Sequence, residues 1–103
     1  MSLSPSPGTD ALFEAMLSLR SEEECRALID DLCTIRERFD MAQRLAVAVL
    51  LRKKKSYLEI SAETGASTAT ISRVARCLNG PDGGYRLVLG RLDGEDGNET
   101  DET

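Results

Sequence analysis

Two short helical segments separated by a glycine turn constrain what this chain can fold into. Ser56 and Glu59 form the sequence of a capping box, which predicts that a helix begins at Tyr57. Gly65 predicts the end of that helix, because glycine enters the left-handed region without a steric penalty from Cβ. Ser67 can then cap a second helix. Two short helices joined by a three-residue turn predict a helix-turn-helix.

The second helix of this pair has two contrasting faces. Its apolar residues recur at helical spacing and are predicted to face a core: Ile71, Val74, Ala75 and Leu78. The opposite face combines small residues, hydroxyls and arginines, which suit close approach to thymine methyls and guanine edges in a major groove of DNA. The candidate base contacts are Thr68, Ala69, Ser72, Arg73 and Arg76. The alternative is a helical hairpin whose polar face is simply solvated.

The charge distribution favours a nucleic-acid partner more than the net charge of −5 does. Residues 1–40 contain nine acidic and four basic residues, residues 41–92 three acidic and nine basic, and residues 93–103 six acidic and none basic. A run of four cations at 52–55, here called the basic stripe, directly precedes the helix-turn-helix. Such a stripe is typical of phosphate binding, although Lys and Arg also favour the last turn of a helix. The candidate phosphate contacts are Lys53, Lys54, Lys55, Ser56, Tyr57, Ser67 and Thr70.

Four further helices are predicted around this unit. A short amphipathic helix covers about 10–19, and a capping box at Ser21 and Glu24 opens a helix that ends near Leu32. The inward residues of that second helix are predicted to be Cys25, Leu28, Ile29 and Leu32. Beyond a breaker at 79–84, apolar residues at i, i+3, i+4 and i+7 predict a last helix over about 85–92.

The longest predicted helix spans about 35–52, and Thr34 with Glu37 forms its capping box. Its apolar residues cover more than one face, so it must be buried on several sides. A chain of 103 residues is too short to supply all of that cover. We therefore expect a second subunit to pack around this helix.

The remaining composition excludes several other classes of protein. The three cysteines have no metal-ligand spacing and the chain has no histidine, so we expect no metal site, no disulfide framework and no cofactor. There is no phosphate-binding glycine loop and no catalytic cluster, so we do not expect an enzyme. Without a signal peptide or an apolar run of membrane length, we expect a soluble cytoplasmic protein with no membrane partner. One domain is predicted at 10–92, between a disordered N-terminus at 1–9 and a disordered acidic tail at 93–103.

Two sequence motifs carry a family resemblance, GASTATISR at 65–73 and CLNGPDGGYRLVL at 77–89. In these motifs and in its order of helices, the chain resembles the trp-repressor-like family of the YerC/YecD type. The resemblance extends over about residues 10–92. It implies an all-α fold, an intertwined homodimer, and binding of palindromic operator DNA as a transcriptional regulator. Within that family, the trp repressor uses a tryptophan corepressor to set the spacing of its two reading heads.

The same resemblance locates an effector pocket whose residues differ here. Arg73 matches an arginine that holds the corepressor, but Val74 stands where the pocket needs a glycine, and Cys77 replaces a serine. A second pocket arginine aligns at Gln43 or at Arg44. We therefore expect no tryptophan corepressor, and the sequence identifies no other effector.

Two functions from different classes follow from these residues. The first is a homodimeric transcriptional regulator, a repressor that binds double-stranded DNA at a palindromic operator. The second is a helical module that uses the same hairpin to bind protein, with its acidic ends excluding nucleic acid. The basic stripe favours the first.

Overall fold

The computed structural model of the chain describes residues 8–94, and these form six α-helices and no strand. The helices are α1 (Thr9–Leu17), α2 (Glu22–Leu32), α3 (Ile35–Arg52), α4 (Tyr57–Thr64), α5 (Thr68–Leu78) and α6 (Gly84–Leu92). The predicted all-α class is confirmed. The predicted disordered ends were 1–9 and 93–103, and residues 1–7 and 95–103 of these lie outside the described part. Within it, Gly8 and Thr9 open α1, and Asp93 and Gly94 form the turn that ends α6.

Side-chain caps fix the starts of four helices. Hydroxyls of Ser21, Thr34, Ser56 and Ser67 each accept a hydrogen bond from the backbone N–H three residues later, at 3.0–3.1 Å. At Thr34 and Ser56 the box is reciprocal, because a glutamate accepts the cap residue's own N–H at 2.9 Å. At Ser21 the returning bond differs from the predicted box, since Glu24 accepts the N–H of Arg20 instead. The starts of α2 to α5 therefore follow from local sequence.

The chain divides between Arg38 and Phe39 into two compact units. In the first unit, none of the described residues 8–38 is buried. Leu28 and Ile29 are half-buried as the pattern predicted, but Cys25 and Leu32 are exposed, which corrects their predicted inward position. Helix α1 also ends two residues earlier than predicted, where the Ser18 hydroxyl donates to the carbonyl of Ala15.

The second unit, residues 39–103, contains the hydrophobic core. The buried side chains come from α3, α4, the turn after α4, α5 and α6: Val47, Ala48, Ile60, Ala66, Ile71, Val74 and Leu89. Burying side chains from both helices of the predicted helix-turn-helix fixes their relative orientation. The core therefore positions α5, the second helix of the pair.

Candidate nucleic-acid interface

The structure contains the predicted helix-turn-helix as α4, a turn at 65–67, and α5. Gly65 adopts φ 76° and ψ 4°, the left-handed conformation that its position in the sequence predicts. The Thr64 hydroxyl donates to the carbonyl of Ile60 at 2.8 Å and accepts the N–H of Ala66 at 3.1 Å. The Ser61 hydroxyl donates to the carbonyl of Ala66 at 2.9 Å. These bonds and the burial of Ala66 make the turn a defined structure rather than a flexible link.

Gln43 has a structural role that the sequence did not reveal. Its side-chain amide donates a hydrogen bond of 3.0 Å to the carbonyl of Thr64, where α4 ends. The bond is partly buried and joins α3 to the turn across 21 residues of sequence. Gln43 was, with Arg44, one of two candidate positions for an effector-pocket residue, and in the structure its amide holds the helix-turn-helix against α3.

Helix α5 presents its two faces as the periodicity predicted. Ile71 and Val74 are buried, and Ala75 and Leu78 are half-buried. Of the candidate base contacts, Ser72 is half-buried and the others are exposed: Thr68, Ala69, Arg73 and Arg76. We call these five residues the recognition face. The structure therefore presents small, hydroxyl and guanidinium groups together on one accessible side of a rigid helix.

The basic stripe lies at the end of α3, and Lys54 has an unusual backbone there. Its φ of 65° makes it the one residue other than glycine with positive φ in the described part of the chain. The N–H of Lys55 donates to the carbonyl of Leu50 and the N–H of Lys54 to that of Leu51, at 3.1 and 3.0 Å. This is a Schellman motif, which usually places glycine at the position of Lys54. Lys53, Lys54 and Lys55 are all exposed.

The remaining phosphate candidates cluster at the first turns of α4 and α5. Ser56 and Ser67 are the exposed cap residues, and Tyr57 is exposed at the first position of α4. Thr70 is half-buried and its hydroxyl accepts a hydrogen bond from Ser67 at 3.1 Å. Helix N-termini favour anions because their N–H groups and dipoles point outward. The structure thus places hydroxyls and two helix N-termini close in sequence to the basic stripe.

The Glu59 carboxylate is part of the α4 cap. Hydrogen bonds from the backbone and side chain of Ser56 lower its pKa, and the charge of Lys55 lowers it further, while partial desolvation opposes the shift. The ionised Glu59 carboxylate therefore acts as part of the N-terminal cap of α4. We assign it this structural role and no catalytic one.

The residues of the suggested effector pocket do not share one environment. Arg44 is half-buried, whereas Arg73 and Cys77 are exposed. The Val74 side chain is 1% exposed and belongs to the core. Among residues 8–94, no group of three or more His, Cys, Asp or Glu side chains is placed to hold a metal ion.

Arg86 is a site residue that sequence reasoning missed. Its Nη1 donates to the carbonyl of Leu78 at 2.6 Å and to that of Gly80 at 2.9 Å. Leu78 is the last residue of α5, and Gly80 lies in the loop that follows it. The available signal was the arginine in the motif at 83–89, but its partners are backbone atoms six and eight residues away, which side-chain periodicity does not indicate.

A helix-turn-helix with an exposed polar recognition face, next to a basic stripe, defines a DNA-binding fold of the regulator type. The model of the family described as Trp repressor protein matches residues 8–93. The chain therefore belongs to the Trp repressor protein family, and the resemblance predicted from its motifs is confirmed. The fold of this family is a regulator-like DNA-binding fold.

Relatives and solved structures agree with this assignment. The chain is 54% identical over 83 residues to YerC of Bacillus subtilis, covering 81% of this chain and 80% of YerC. A TrpR-like protein from Eubacterium eligens has a solved structure with a TM-score of 0.80 and 47% identity, covering 86% of this chain and 92% of that one. A structure from Staphylococcus aureus gives a TM-score of 0.80 at 43% identity, with 85% and 88% covered. None of the described helices is both long and apolar enough to cross a membrane.

Proposed function

We propose that the protein is a sequence-specific DNA-binding repressor that acts as a homodimer on a palindromic operator. The observation that most supports this function is the recognition face of α5, exposed on a helix that the core and a braced turn hold in place. Membership of the Trp repressor protein family supports the same class.

In this proposal the recognition face and the basic stripe have different roles. Thr68 and Ala69 approach thymine methyls, while Arg73 and Arg76 donate to guanine edges and Ser72 to a neighbouring base. Lys53, Lys54 and Lys55 neutralise phosphates, together with the hydroxyls and helix N-termini at Ser56, Tyr57, Ser67 and Thr70. The first set gives sequence preference, and the second gives affinity for any DNA.

Exposed apolar side chains support the homodimer. The first unit has no buried residue between 8 and 38, so it lacks a core of its own in a single chain. Large apolar side chains exposed by 40% or more occur on α1, α2, α3, α4 and α6, including Phe13, Leu32, Phe39, Met41, Leu45, Leu58, Leu87, Val88 and Leu92. Exposed apolar area of this extent marks an association surface. A second copy of the chain covers it and places two α5 helices about 34 Å apart, one helical turn of DNA.

Selection of bound fragments from a random DNA pool tests this function. The proposal predicts enrichment of one motif with inverted-repeat symmetry and half-sites about one helical turn apart. A variant with Thr68, Ser72 and Arg73 replaced by Ala is the control, and it should enrich no motif. Enrichment of nothing by the unaltered protein would reject DNA reading and favour the protein-interaction module. An enriched motif without symmetry would reject the dimeric reader.

A further inference from the structure

We infer that Arg86 is a positioning residue that holds the C-terminal end of α5, the helix with the recognition face. This inference rests on the proposed function. Arg86 lies in the first turn of α6, and its guanidinium reaches back to the end of α5. It is not a candidate base or phosphate contact here. Its proposed role is to fix the direction in which α5 presents its recognition face.

The hydrogen bonds at the end of α5 show what Arg86 contributes. The last carbonyls of a helix have no partner within the helix. Ala75 O accepts both the N–H and the side-chain amide of Asn79, at 3.1 and 3.0 Å, and Cys77 O accepts the N–H of Gly80 at 3.1 Å. Leu78 O and Gly80 O instead accept Nη1 of Arg86, at 2.6 and 2.9 Å. One guanidinium nitrogen thus bridges the end of the helix and the loop that follows it.

Electrostatics favour a cation at this place. The C-terminal end of a helix has a partial negative charge, which a guanidinium stabilises more than a neutral donor does. The last turn of α5 contains one basic residue, Arg76, which belongs to the recognition face. Arg86 therefore gives the helix end a positive partner from a different element, and Arg76 remains available to DNA.

Two glycines of the loop at 79–83 leave room, one beside the guanidinium and one at the end of α5. Gly83 adopts φ 74°, and a Cβ there would lie 3.3 Å from Nη2 of Arg86. At Gly80, a Cβ would lie 3.0 Å from the carbonyl oxygen of Arg76, within α5. Gly83 therefore leaves room for the guanidinium, and Gly80 lets the chain turn close to the end of α5.

The bridge also connects α5 to the core through α6. Leu89, one turn beyond Arg86 on α6, is buried with 3% exposure. Helix α5 is held near its start by the braced turn at 65–67 and at its end by Arg86. The core holds the middle of α5 through Ile71 and Val74, so loss of Arg86 leaves the last turn of the helix free to shift. Small displacements of Arg76 in that turn reduce base discrimination. Loss of Arg86 should therefore reduce sequence preference more than general DNA affinity.

The test compares Arg86→Gln, Arg86→Lys and the control Arg91→Gln, which removes the same charge from the same helix. Affinity for the selected operator and for random DNA is measured at a temperature where circular dichroism shows all variants folded. Arg86→Gln should weaken operator binding about tenfold more than random-DNA binding, a factor corresponding to loss of one charge-assisted hydrogen bond. Lysine keeps the charge but lacks the two N–H donors that the guanidinium plane fixes on Nη1, so Arg86→Lys should give an intermediate loss. Arg91→Gln should weaken both complexes equally.

Amide hydrogen exchange provides a readout that does not depend on DNA. In Arg86→Gln, the N–H groups of Asn79 and Gly80 should exchange faster, while that of Ile71 should keep its wild-type rate. If operator preference in Arg86→Gln equals that of the unaltered protein, the inference is wrong. If the unaltered protein itself prefers no operator, the proposed function fails, and that failure is seen before any variant is compared.

Discussion

At the scale of single residues, Lys54 combines a strained backbone with a charge in the stripe proposed to bind phosphate. Its left-handed backbone is the conformation that glycine adopts most easily, and a residue with a Cβ is strained there. The sequence pattern did not predict this strain, because consecutive lysines at the end of a helix look unremarkable. Since a glycine there would remove a cation from the basic stripe, we infer that Lys54 is kept for its charge.

The pair Lys54→Gly and Lys54→Ala separates backbone strain from charge. Both variants remove one cation, but glycine alone relieves the strain, so Lys54→Gly should be more stable than Lys54→Ala by roughly 1 kcal/mol. Both should bind random DNA more weakly to the same degree, with a salt slope about 0.9 smaller if Lys54 neutralises one phosphate. Chemical denaturation and salt-dependent binding measure the two effects. Equal stability of the two variants would contradict the strain.

Val74 is the residue that bears most directly on a response to tryptophan. We propose that L-tryptophan neither binds tightly nor changes DNA affinity, because the Val74 isopropyl group is packed in the core at the place where the family pocket needs glycine. Gln43 also donates its amide to Thr64 instead of supplying a cation. Calorimetry with millimolar tryptophan and operator binding with and without it test this. Micromolar binding, or a tenfold change in operator affinity, would contradict it.

At the scale of elements, much of the structure could be predicted because it is encoded locally. The capping residues Ser21, Thr34, Ser56 and Ser67 fixed the starts of four helices, and Gly65 fixed the end of α4. Apolar spacing fixed which face of α5 is buried. The contacts of Gln43 and Arg86 could not be predicted, because each joins a side chain to a backbone carbonyl of another element. The exposure of Cys25 and Leu32 was missed because periodicity identifies an apolar face but not what covers it.

The capping box of α4 predicts a local sensitivity to acid. The folded pKa of Glu59 is below its ordinary value of 4.5, so the cap stabilises α4 fully above that value and is lost as the pH falls through the lowered pKa. The first turn of α4 should therefore fray progressively as the pH falls below 4.5 and through the lowered pKa. The protection factors of the Glu59 and Ile60 amides, which correct the exchange rates for the intrinsic effect of pH, measure this. In Glu59→Gln, whose amide oxygen can still accept the N–H of Ser56, the protection factors of these two amides should no longer fall with pH, and a persistent fall would contradict the assignment.

Helix α5 and the basic stripe should respond differently to substitution. Thr68→Ala, Ser72→Ala or Arg73→Ala should each cost roughly 1–3 kcal/mol on the selected operator and little on random DNA. Gln substitutions at Lys53, Lys54 and Lys55 should weaken both complexes alike and reduce the salt slope by about 0.9 for each phosphate that is no longer neutralised. Fluorescence anisotropy with both DNAs, at several salt concentrations, gives all of these values. Equal losses on both DNAs from the α5 variants would show that the recognition face is wrongly assigned.

At the scale of the whole molecule, the charge distribution and the exposed apolar side chains both fit the proposed homodimer on DNA. Basic residues concentrate between 41 and 92 although the net charge is −5, which keeps a DNA-binding surface within an acidic protein. Large apolar side chains remain exposed on five of the described helices, and none of residues 8–38 is buried. The sequence predicted the need for a second subunit from the several apolar faces of α3. It could not show which side chains the proposed second subunit covers, because such contacts would lie between chains.

The central claim is that two copies of α5 read one palindrome, and sedimentation equilibrium tests it most directly. The mass is measured at micromolar concentration for the chain alone and for its complex with the selected operator duplex. We expect twice the chain mass of 11.2 kDa without DNA, and two chains on each duplex. A folded monomer in solution that binds the operator as a single chain would contradict the claim.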